Sequence, residues 1–360
     1  MKNRHRTSTP HRGRGATANP TCRFNANERE AVDDGWQRDD EDAPPLRTTV
    51  TIDATRSIIA RNDSPDVPFA QSINPYRGCE HGCVYCFARP THAYLGLSPG
   101  LDFESRLLVK PDAARLLRTE LARPSYRCRP IALGTNTDPY QPIERHHRLV
   151  RDILEVLWEH RHPVSIVTKS ALVERDLDVL GEMAGAGLAQ VMISVTTLDR
   201  TLARRLEPRA AAPQRRLQTI ERIAAAGVPV GVLVAPVIPV LTEPELETIL
   251  QACAAVGANS AGYILLRLPL EVRGLFADWL RVHVPLTADH VMSRMRDTRG
   301  GREYDNGFFS RMTGSGDSAQ LIAQRFSLAC KRHGLDGPRG TLNTDAFRVP
   351  LRSGTQLNLL

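Results

Sequence analysis

The stretch at residues 164–195, VSIVTKSALVERDLDVLGEMAGAGLAQVMISV, decides the fold class. It begins with a short apolar, β-branched run (VSIVT) and ends with a second one (VMISV). Between them, apolar residues recur at three- and four-residue spacing, after Asp176 as a helix start and before Gly187 as a helix stop. A strand, a helix and a second strand in this order predict a right-handed βαβ unit with parallel strands.

The same alternation continues on both sides of this unit. Strands are predicted at 72–73, 130–134, 164–168, 191–195, 228–235 and 262–268, and helices at 113–122, 146–159, 177–186, 215–226 and 243–256. Six parallel strands are fewer than the eight of a closed barrel. The pattern therefore predicts an α/β fold, either a partial (β/α)6 TIM-type barrel, which we favour, or a doubly wound sheet.

The two ends of the chain differ from this core. Residues 1–45 carry a basic block and then an acidic block that ends at two prolines, and this composition predicts a disordered charged N-terminal arm. The core is predicted over residues 46–285. Residues 286–360 are predicted to form a C-terminal helical extension, because helix, turn and helix signals replace the strand pattern there.

Composition limits the setting and the partners of the protein. No apolar run approaches the length of a membrane span, so no membrane association is predicted. Seven cysteines with three crowded together indicate a reducing, cytoplasmic compartment rather than a disulfide framework. The net charge of +7 allows nucleic acid as a candidate partner. Its candidate contacts are the basic residues of 2–23 and Arg294, Arg296, Arg299, Arg302 and Arg311.

Polar residues follow the ends of several predicted strands. Because the carboxyl ends of parallel strands meet at one edge of a sheet, these residues are predicted to share a ligand site. They are Thr135, Asn136 and Thr137 after the second strand, Lys169 after the third, Ser194 in the fourth and Arg267 at the end of the sixth. The alternative for Lys169 is a solvated surface position, and for Arg267 a salt bridge within the barrel.

A loop with three cysteines follows the first predicted strand. It reads NPYRGCEHGCVYCFAR at residues 74–89 and places Cys79, Cys83 and Cys86 at C-x3-C-x2-C spacing with no fourth cysteine close behind. One interpretation is a zinc site completed by His81 or His92. The other is a [4Fe–4S] cluster in which one iron lacks a protein ligand. The second is favoured, because structural zinc sites usually pair cysteines from two separate segments.

This loop resembles the signature of radical S-adenosylmethionine (radical SAM) enzymes, with Tyr85 directly before the last cysteine. The resemblance covers roughly residues 46–285. Within that superfamily the chain is most similar to the spore photoproduct lyase-related group, and closest to a bacterial branch of unassigned reaction. The phrases that carry this similarity are the cysteine loop, THAYLG (91–96), DPYQPIE (138–144), TKS (168–170) and SVTT (194–197).

The resemblance implies a reaction. A [4Fe–4S] cluster on Cys79, Cys83 and Cys86 would bind S-adenosylmethionine through its amino and carboxylate groups. An electron from a low-potential donor, such as a flavodoxin or a ferredoxin, would cleave it to methionine and a 5′-deoxyadenosyl radical, which would take hydrogen from an unidentified substrate. The alternatives are a non-catalytic iron–sulfur or zinc protein and a DNA photoproduct lyase.

The resemblance also implies roles for side chains. Lys169 would meet the methionine carboxylate, Ser194 the ribose or the amino group, and Tyr85 would pack near the adenine. Residues 135–137 stand where the family has a glycine-rich stretch, and Arg267 is a further cofactor-binding candidate. Spore photoproduct lyases use a hydrogen-donating cysteine at the end of the second strand, where this chain has residues 135–138. Photoproduct repair is therefore not favoured, and no catalytic side chain is assigned.

Overall fold

The computed structural model describes residues 11–25, 46–337 and 340–349. Its main sheet has seven strands in the order β10-β9-β8-β7-β6-β3-β2, and all neighbours are parallel except the edge strand β2. The strands of this sheet are β2 (Ile59–Arg61), β3 (Gln71–Ile73), β6 (Ile131–Leu133), β7 (Val164–Thr168), β8 (Ala189–Ser194), β9 (Val230–Val237) and β10 (Ser260–Leu265).

At least one helix separates each consecutive pair of the six parallel strands. The helices are α1 (Asp102–Ser105), α2 (Ala113–Leu121), α3 (Glu144–His147), α4 (Leu149–Glu159), α5 (Leu177–Gly185), α6 (Arg200–Leu206), α7 (Pro213–Ala225), α8 (Leu246–Ala255), α9 (Glu271–His283), α10 (Ala288–Asp297), α11 (Ser310–Thr313) and α12 (Asp317–His333). The prediction of an α/β fold with a parallel sheet is confirmed.

The secondary structure differs from the prediction in several places. The helix expected at 146–159 is divided into α3 and α4, because Arg148 takes a left-handed conformation with φ of 53°. A second sheet lies ahead of and beside the cysteine loop, with β1 (Thr49–Ile52) parallel to β5 (Arg106–Val109) and β4 (Tyr76–Arg77) antiparallel to it. Its strands of two to four residues are too short to give a periodic signal in the sequence.

The apolar core lies between the main sheet and the helices that cover it. Ile73, Ile131, Ile166 and Ile193 are buried on successive strands. The C-terminal helix α12 joins the same core through buried alanine and isoleucine side chains and packs against α8 and β10. In the described part of the chain, no helix is both long enough and apolar enough to cross a lipid bilayer.

The N-terminal segment 11–25 is packed against the domain. Ala16 and Cys22 are buried, and the backbone N–H groups of Gly15 and Ala16 donate to the carboxylate of Glu104 at 2.9 and 2.8 Å. The predicted disordered arm is thus wrong for residues 11–25, while residues 1–10 and 26–45 lie outside the described residues. A polar, glycine-containing segment gains its order here from backbone hydrogen bonds to a buried carboxylate, which composition does not reveal.

Candidate active site

A cavity of about 180 Å³ lies beyond the carboxyl ends of the parallel strands. The cavity is lined by all ten residues that the sequence predicted to bind the cluster or the cofactor. They are Cys79, Cys83, Tyr85 and Cys86 from the loop after β4, Thr135, Asn136 and Thr137 after β6, Lys169 after β7, Ser194 at the end of β8 and Arg267 after β10. The rule that ligands bind at this edge of a parallel sheet accounts for their convergence.

The cysteine loop is compact and largely buried. Cys79 and Cys83 are each 7% exposed, and Cys86 is half-buried. The Cys79 N–H donates to the Phe103 carbonyl at 2.9 Å, and the Cys86 N–H donates to the Cys83 carbonyl at 3.2 Å. Burial raises the pKa of all three thiols, so they are neutral unless a cation holds them as thiolates.

Two buried polar side chains hold this loop in place. Gln141 accepts from the Glu80 N–H at 2.9 Å and donates to the Gly78 carbonyl at 3.2 Å. Arg89 donates to the Cys83 carbonyl at 2.9 Å and pairs with Glu104. Both residues lie within phrases that carry the family resemblance, DPYQPIE and CFAR, and the phrases themselves are the signal that could have marked them.

Lys169 lies in the cavity wall rather than in solvent. Its side chain is 15% exposed, and its Nζ donates to Ser194 Oγ at 2.7 Å and to the Ala235 carbonyl at 3.2 Å. The same Nζ lies 3.3 Å from Glu207 Oε1 and 5.7 Å from the centre of the Tyr85 ring. The alternative of a solvated surface lysine is therefore wrong.

Glu207 is a charged residue beside the cavity that the sequence pattern did not mark. Its buried carboxylate accepts from the Tyr85 hydroxyl and from Thr196, and it pairs with Arg216. Burial opposes its ionisation, but Arg216 and Lys169 outweigh that effect and hold the pKa of Glu207 below its ordinary value. Glu207 follows the short helix α6, which the sequence pattern did not predict, and it belongs to no motif.

The segment after β6 is fixed by a neighbouring asparagine. The Asn74 side-chain oxygen accepts from the N–H groups of Asn136 and Thr137 at 3.1 and 3.3 Å, and its Nδ2 donates to Thr135 Oγ1 at 3.3 Å. The Thr137 hydroxyl donates to the Tyr76 carbonyl at 3.1 Å. Thr137 is therefore buried and its hydroxyl is hydrogen-bonded within the protein. Thr135 and Asn136 remain half-exposed at the cavity.

Asp138 joins this segment to the end of β7, which Lys169 directly follows. Its carboxylate accepts from the Thr168 hydroxyl at 2.7 Å and from the Lys169 N–H at 2.9 Å, and it lies 3.3 Å from His81 Nδ1. Burial works against its charge, yet His81 and these hydrogen bonds lower the pKa of Asp138. Asp138 is thus an ionised side chain that fixes the backbone on which Lys169 is carried.

Arg267 lies in the opposite wall of the cavity. Its guanidinium is 4.9 Å from the centre of the Phe87 ring, and Nη1 lies 3.7 Å from the Met312 sulfur. Its Nε is buried and has no hydrogen-bond partner, and no carboxylate among the described residues pairs with it. The predicted alternative of a salt bridge within the barrel is therefore wrong, and the cavity wall carries a cation without a counterion.

The two histidines offered as zinc ligands are placed differently. His92 does not line the cavity: its Nε2 is hydrogen-bonded to the Arg106 carbonyl at 2.9 Å and its ring packs against Phe103. His81 lines the cavity but faces Asp138. Across residues 11–25, 46–337 and 340–349, no three His, Cys, Asp or Glu side chains are grouped so that they could hold one metal ion.

The fold and the cavity together define an α/β protein with its ligand site at the strand ends. The sequence profile of the Radical SAM superfamily matches residues 73–253, which is about half of the chain. The chain therefore belongs to this superfamily, and membership implies a [4Fe–4S] cluster and S-adenosylmethionine.

The chain is also similar to proteins that are themselves uncharacterized. An uncharacterized protein of Mycobacterium tuberculosis is 44% identical over 225 residues, which are 62% of this chain and 66% of that relative. An uncharacterized protein of Acidianus two-tailed virus is 30% identical over 200 residues, 52% of this chain and 64% of the relative. The alignments thus span slightly less than two thirds of the relatives' own length.

The fold is shared with spore photoproduct lyase. One structure of that enzyme superposes with a TM-score of 0.56 at 18% identity, over 79% of this chain and 78% of the other. Another, with bound AdoMet and dinucleoside spore photoproduct, gives a TM-score of 0.57 at 17% identity over the same shares of the two chains.

Proposed function

We propose that Cys79, Cys83 and Cys86 hold a [4Fe–4S] cluster and that the adjoining cavity binds S-adenosylmethionine. The observation that carries this proposal is the convergence of three thiols, two of them buried, and the paired Lys169 on one cavity. When bound, the two groups would supply the one-electron cleavage of S-adenosylmethionine to methionine and a 5′-deoxyadenosyl radical, with the electron coming from a low-potential donor protein. That radical would take hydrogen from a substrate still to be identified. The compact thiol spacing suits one cysteine per iron.

The charged residues around the thiols would bind and orient S-adenosylmethionine. Lys169 already has three acceptors, Ser194 Oγ, the Ala235 carbonyl and Glu207, so a methionine carboxylate would replace the most distant, Glu207 at 3.3 Å. Ser194 would then offer its hydroxyl to the ribose or the amino group. The ring of Tyr85 would form the apolar wall near the adenine, and Thr135 and Asn136 would face the amino group.

The six parallel strands and their helices form, in this proposal, an open (β/α)6 barrel over residues 46–285. Residues 286–360 would be its helical extension. The contact between Arg267 Nη1 and the Met312 sulfur, at 3.7 Å, supports an extension that reaches the mouth of the cavity. Seven cysteines, three of them grouped in one loop rather than spread as a disulfide framework, support a reducing, cytoplasmic location.

The arginines that the sequence offered for nucleic acid are mostly engaged elsewhere. Arg294 pairs with Asp297, Arg296 with Glu303 and Arg311 with Asp66. Arg299 is buried and donates to four backbone carbonyls, and in the N-terminal segment Arg14 and Arg23 also have partners within the protein. These side chains therefore give little support to nucleic acid as the substrate.

Arg267 is a better guide to the substrate. A guanidinium without a counterion in the wall of a cavity favours an anionic group on the molecule that enters it. The name of the structural neighbour suggests photoproduct repair, a reaction that uses a hydrogen-donating cysteine. It has less support here, because Cys128 lies before β6 and outside the cavity. Arg267→Gln should lower turnover of the substrate by a larger factor than it lowers the cleavage of S-adenosylmethionine in the absence of substrate.

The test of the proposed function is anaerobic reconstitution of the full chain with iron and sulfide. We expect a brown protein that forms 5′-deoxyadenosine from S-adenosylmethionine only when dithionite is added. A colourless protein that binds one zinc ion would establish the structural zinc alternative. A brown protein that forms no 5′-deoxyadenosine would establish a non-catalytic iron–sulfur protein.

A further inference from the structure

A second cavity, of about 620 Å³, lies next to the active site and is lined by residues between Arg200 and Pro213. Glu207 belongs to its wall. The carboxylate of the same residue contacts Tyr85 and Lys169, which line the cysteine cavity. One layer of side chains therefore separates the two cavities.

The second cavity has a strongly basic rim. Arg200, Arg204 and Arg205 line this cavity, and Arg209 follows the lining residue Pro208 in the chain. All four arginines are exposed, and together they are called the basic face below. Arg209 pairs with Glu80 at 3.1 Å, and Arg205 donates to the His283 carbonyl at 3.2 Å. For Arg200, Arg204 and Arg205, the described part of the chain supplies no carboxylate partner. The basic face thus carries an excess of positive charge.

The basic face is tied directly to the cysteine loop. The Val84 N–H donates to the Leu206 carbonyl at 3.1 Å, and the Arg209 N–H donates to the His81 carbonyl at 3.3 Å. His81 lies between Cys79 and Cys83 in the loop, and Val84 directly follows Cys83. A molecule bound at the basic face would therefore lie close to the thiols, on the far side of Glu207 from the cysteine cavity.

We propose that the basic face is the docking surface for an acidic one-electron carrier protein. The proposal rests on the proposed function, because it needs a cluster on the three cysteines to receive the electron. In each transfer the carrier is oxidised by one electron and the cluster is reduced by one. Complementary charge accelerates and orients such an encounter, and a short path favours transfer because electron tunnelling weakens steeply with distance.

A nucleic acid is the other polyanion that such a face attracts. Its bases, however, would be separated from the cysteine cavity by Glu207, Tyr85 and Lys169, so hydrogen could not be taken from them there. An electron carrier needs only proximity to the cluster, since electrons pass through side chains. Because the basic face is separated from the cysteine cavity by Glu207, it favours an electron carrier over a nucleic acid as its partner.

The experiment compares Arg200→Glu/Arg204→Glu with the wild type and with a control of equal charge change, Arg123→Glu/Arg129→Glu. The control residues are exposed and precede β6, at the edge of the sheet opposite the cavity. Reconstituted full-length protein is supplied with S-adenosylmethionine and either reduced flavodoxin, an acidic carrier, or dithionite. We expect the flavodoxin-driven rate of 5′-deoxyadenosine formation at low salt to fall about tenfold in the basic-face variant only. The dithionite-driven rate should stay unchanged.

A second measurement does not depend on the cluster. Oxidised flavodoxin is titrated into each variant, and its affinity should fall with salt for the wild type and be lost for the basic-face variant. Equal affinity in the wild type and in that variant would overturn the proposal, whatever the activities. The proposal would also be overturned if the basic-face variant kept its affinity for flavodoxin but lost its affinity for single-stranded DNA. If the wild type forms no 5′-deoxyadenosine with dithionite, the proposed function fails instead, and the titration still decides whether the carrier docks here.

Discussion

Lys169 Nζ lies 3.3 Å from Glu207 Oε1, and the same carboxylate is paired with the buried Arg216. The group thus contains two cations and one anion. Because Arg216 is 2% exposed and cannot reach solvent, Glu207 must neutralise it, and the charge of Lys169 is left for a ligand in the cavity.

Lys169→Ala should therefore weaken the binding of S-adenosylmethionine and leave the cluster in place. A charge-assisted hydrogen bond contributes about 1.5–3 kcal/mol, which corresponds to a dissociation constant raised roughly 10- to 150-fold. Anaerobic equilibrium titration measures the constant. Lys331→Ala, in the exposed last turn of α12, is the control and should have no effect. An unchanged constant for Lys169→Ala would remove this residue from the binding site.

Glu207→Gln should destabilise the fold itself. The substitution leaves Arg216 buried without a carboxylate, which typically costs about 3–5 kcal/mol. Urea unfolding of the metal-free protein measures the loss. Glu247→Gln is the matched control, because its pair with Arg325 is partly exposed and should contribute about 1 kcal/mol or less. If the two variants unfold alike, the charge of Glu207 is not what holds Arg216.

The positions of the strand ends could be predicted from the sequence, and the reason is physical. Strands buried on both faces are short apolar runs, and the parallel arrangement brings their carboxyl ends together, so Lys169 and Ser194 could be placed beside the cysteine loop without a structure. The hydrogen-bond and charge partners of these residues could not be predicted. Glu207 approaches Lys169 only because α6 follows β8 and returns the chain to the cysteine loop, and its sequence neighbours carry no sign of this.

The order of residues 11–25 could not be predicted either. Few side chains of this segment are large and apolar, and the segment is fixed by the Glu104 carboxylate, which lies 89 residues from Gly15 in the chain. Hydrogen bonds between distant residues leave no periodic pattern. The segment also supports the cysteine loop, because Glu104 pairs with Arg89, which donates to the Cys83 carbonyl.

Gly15→Ala should loosen this support. A Cβ atom at Gly15 would overlap the Gly82 carbonyl oxygen, in the loop between Cys79 and Cys83. Overpacking of this kind costs roughly 1–3 kcal/mol. We expect a lower unfolding midpoint and faster tryptic cleavage after Arg12 and Arg14. Gly185→Ala, where a Cβ meets no atom within 4 Å, is the control and should be neutral or stabilising. Cleavage at the wild-type rate in Gly15→Ala would show that the segment does not depend on this contact.

Replacement of Cys79, Cys83 or Cys86 by alanine should each abolish cluster assembly, because a cluster with one cysteine per iron has no spare thiol in this cavity. Iron and sulfide are quantified after anaerobic reconstitution, together with the absorbance of the cluster. Cys128→Ala and Cys253→Ala are the controls. Cys128 is half-buried outside the cavity, and Cys253 is fully buried in the core on α8, so both variants should bind iron as the wild type does. Iron retained at the wild-type level in Cys83→Ala would mean that the cluster, if there is one, is held by other ligands, and the proposed function would then lose the observation on which it rests.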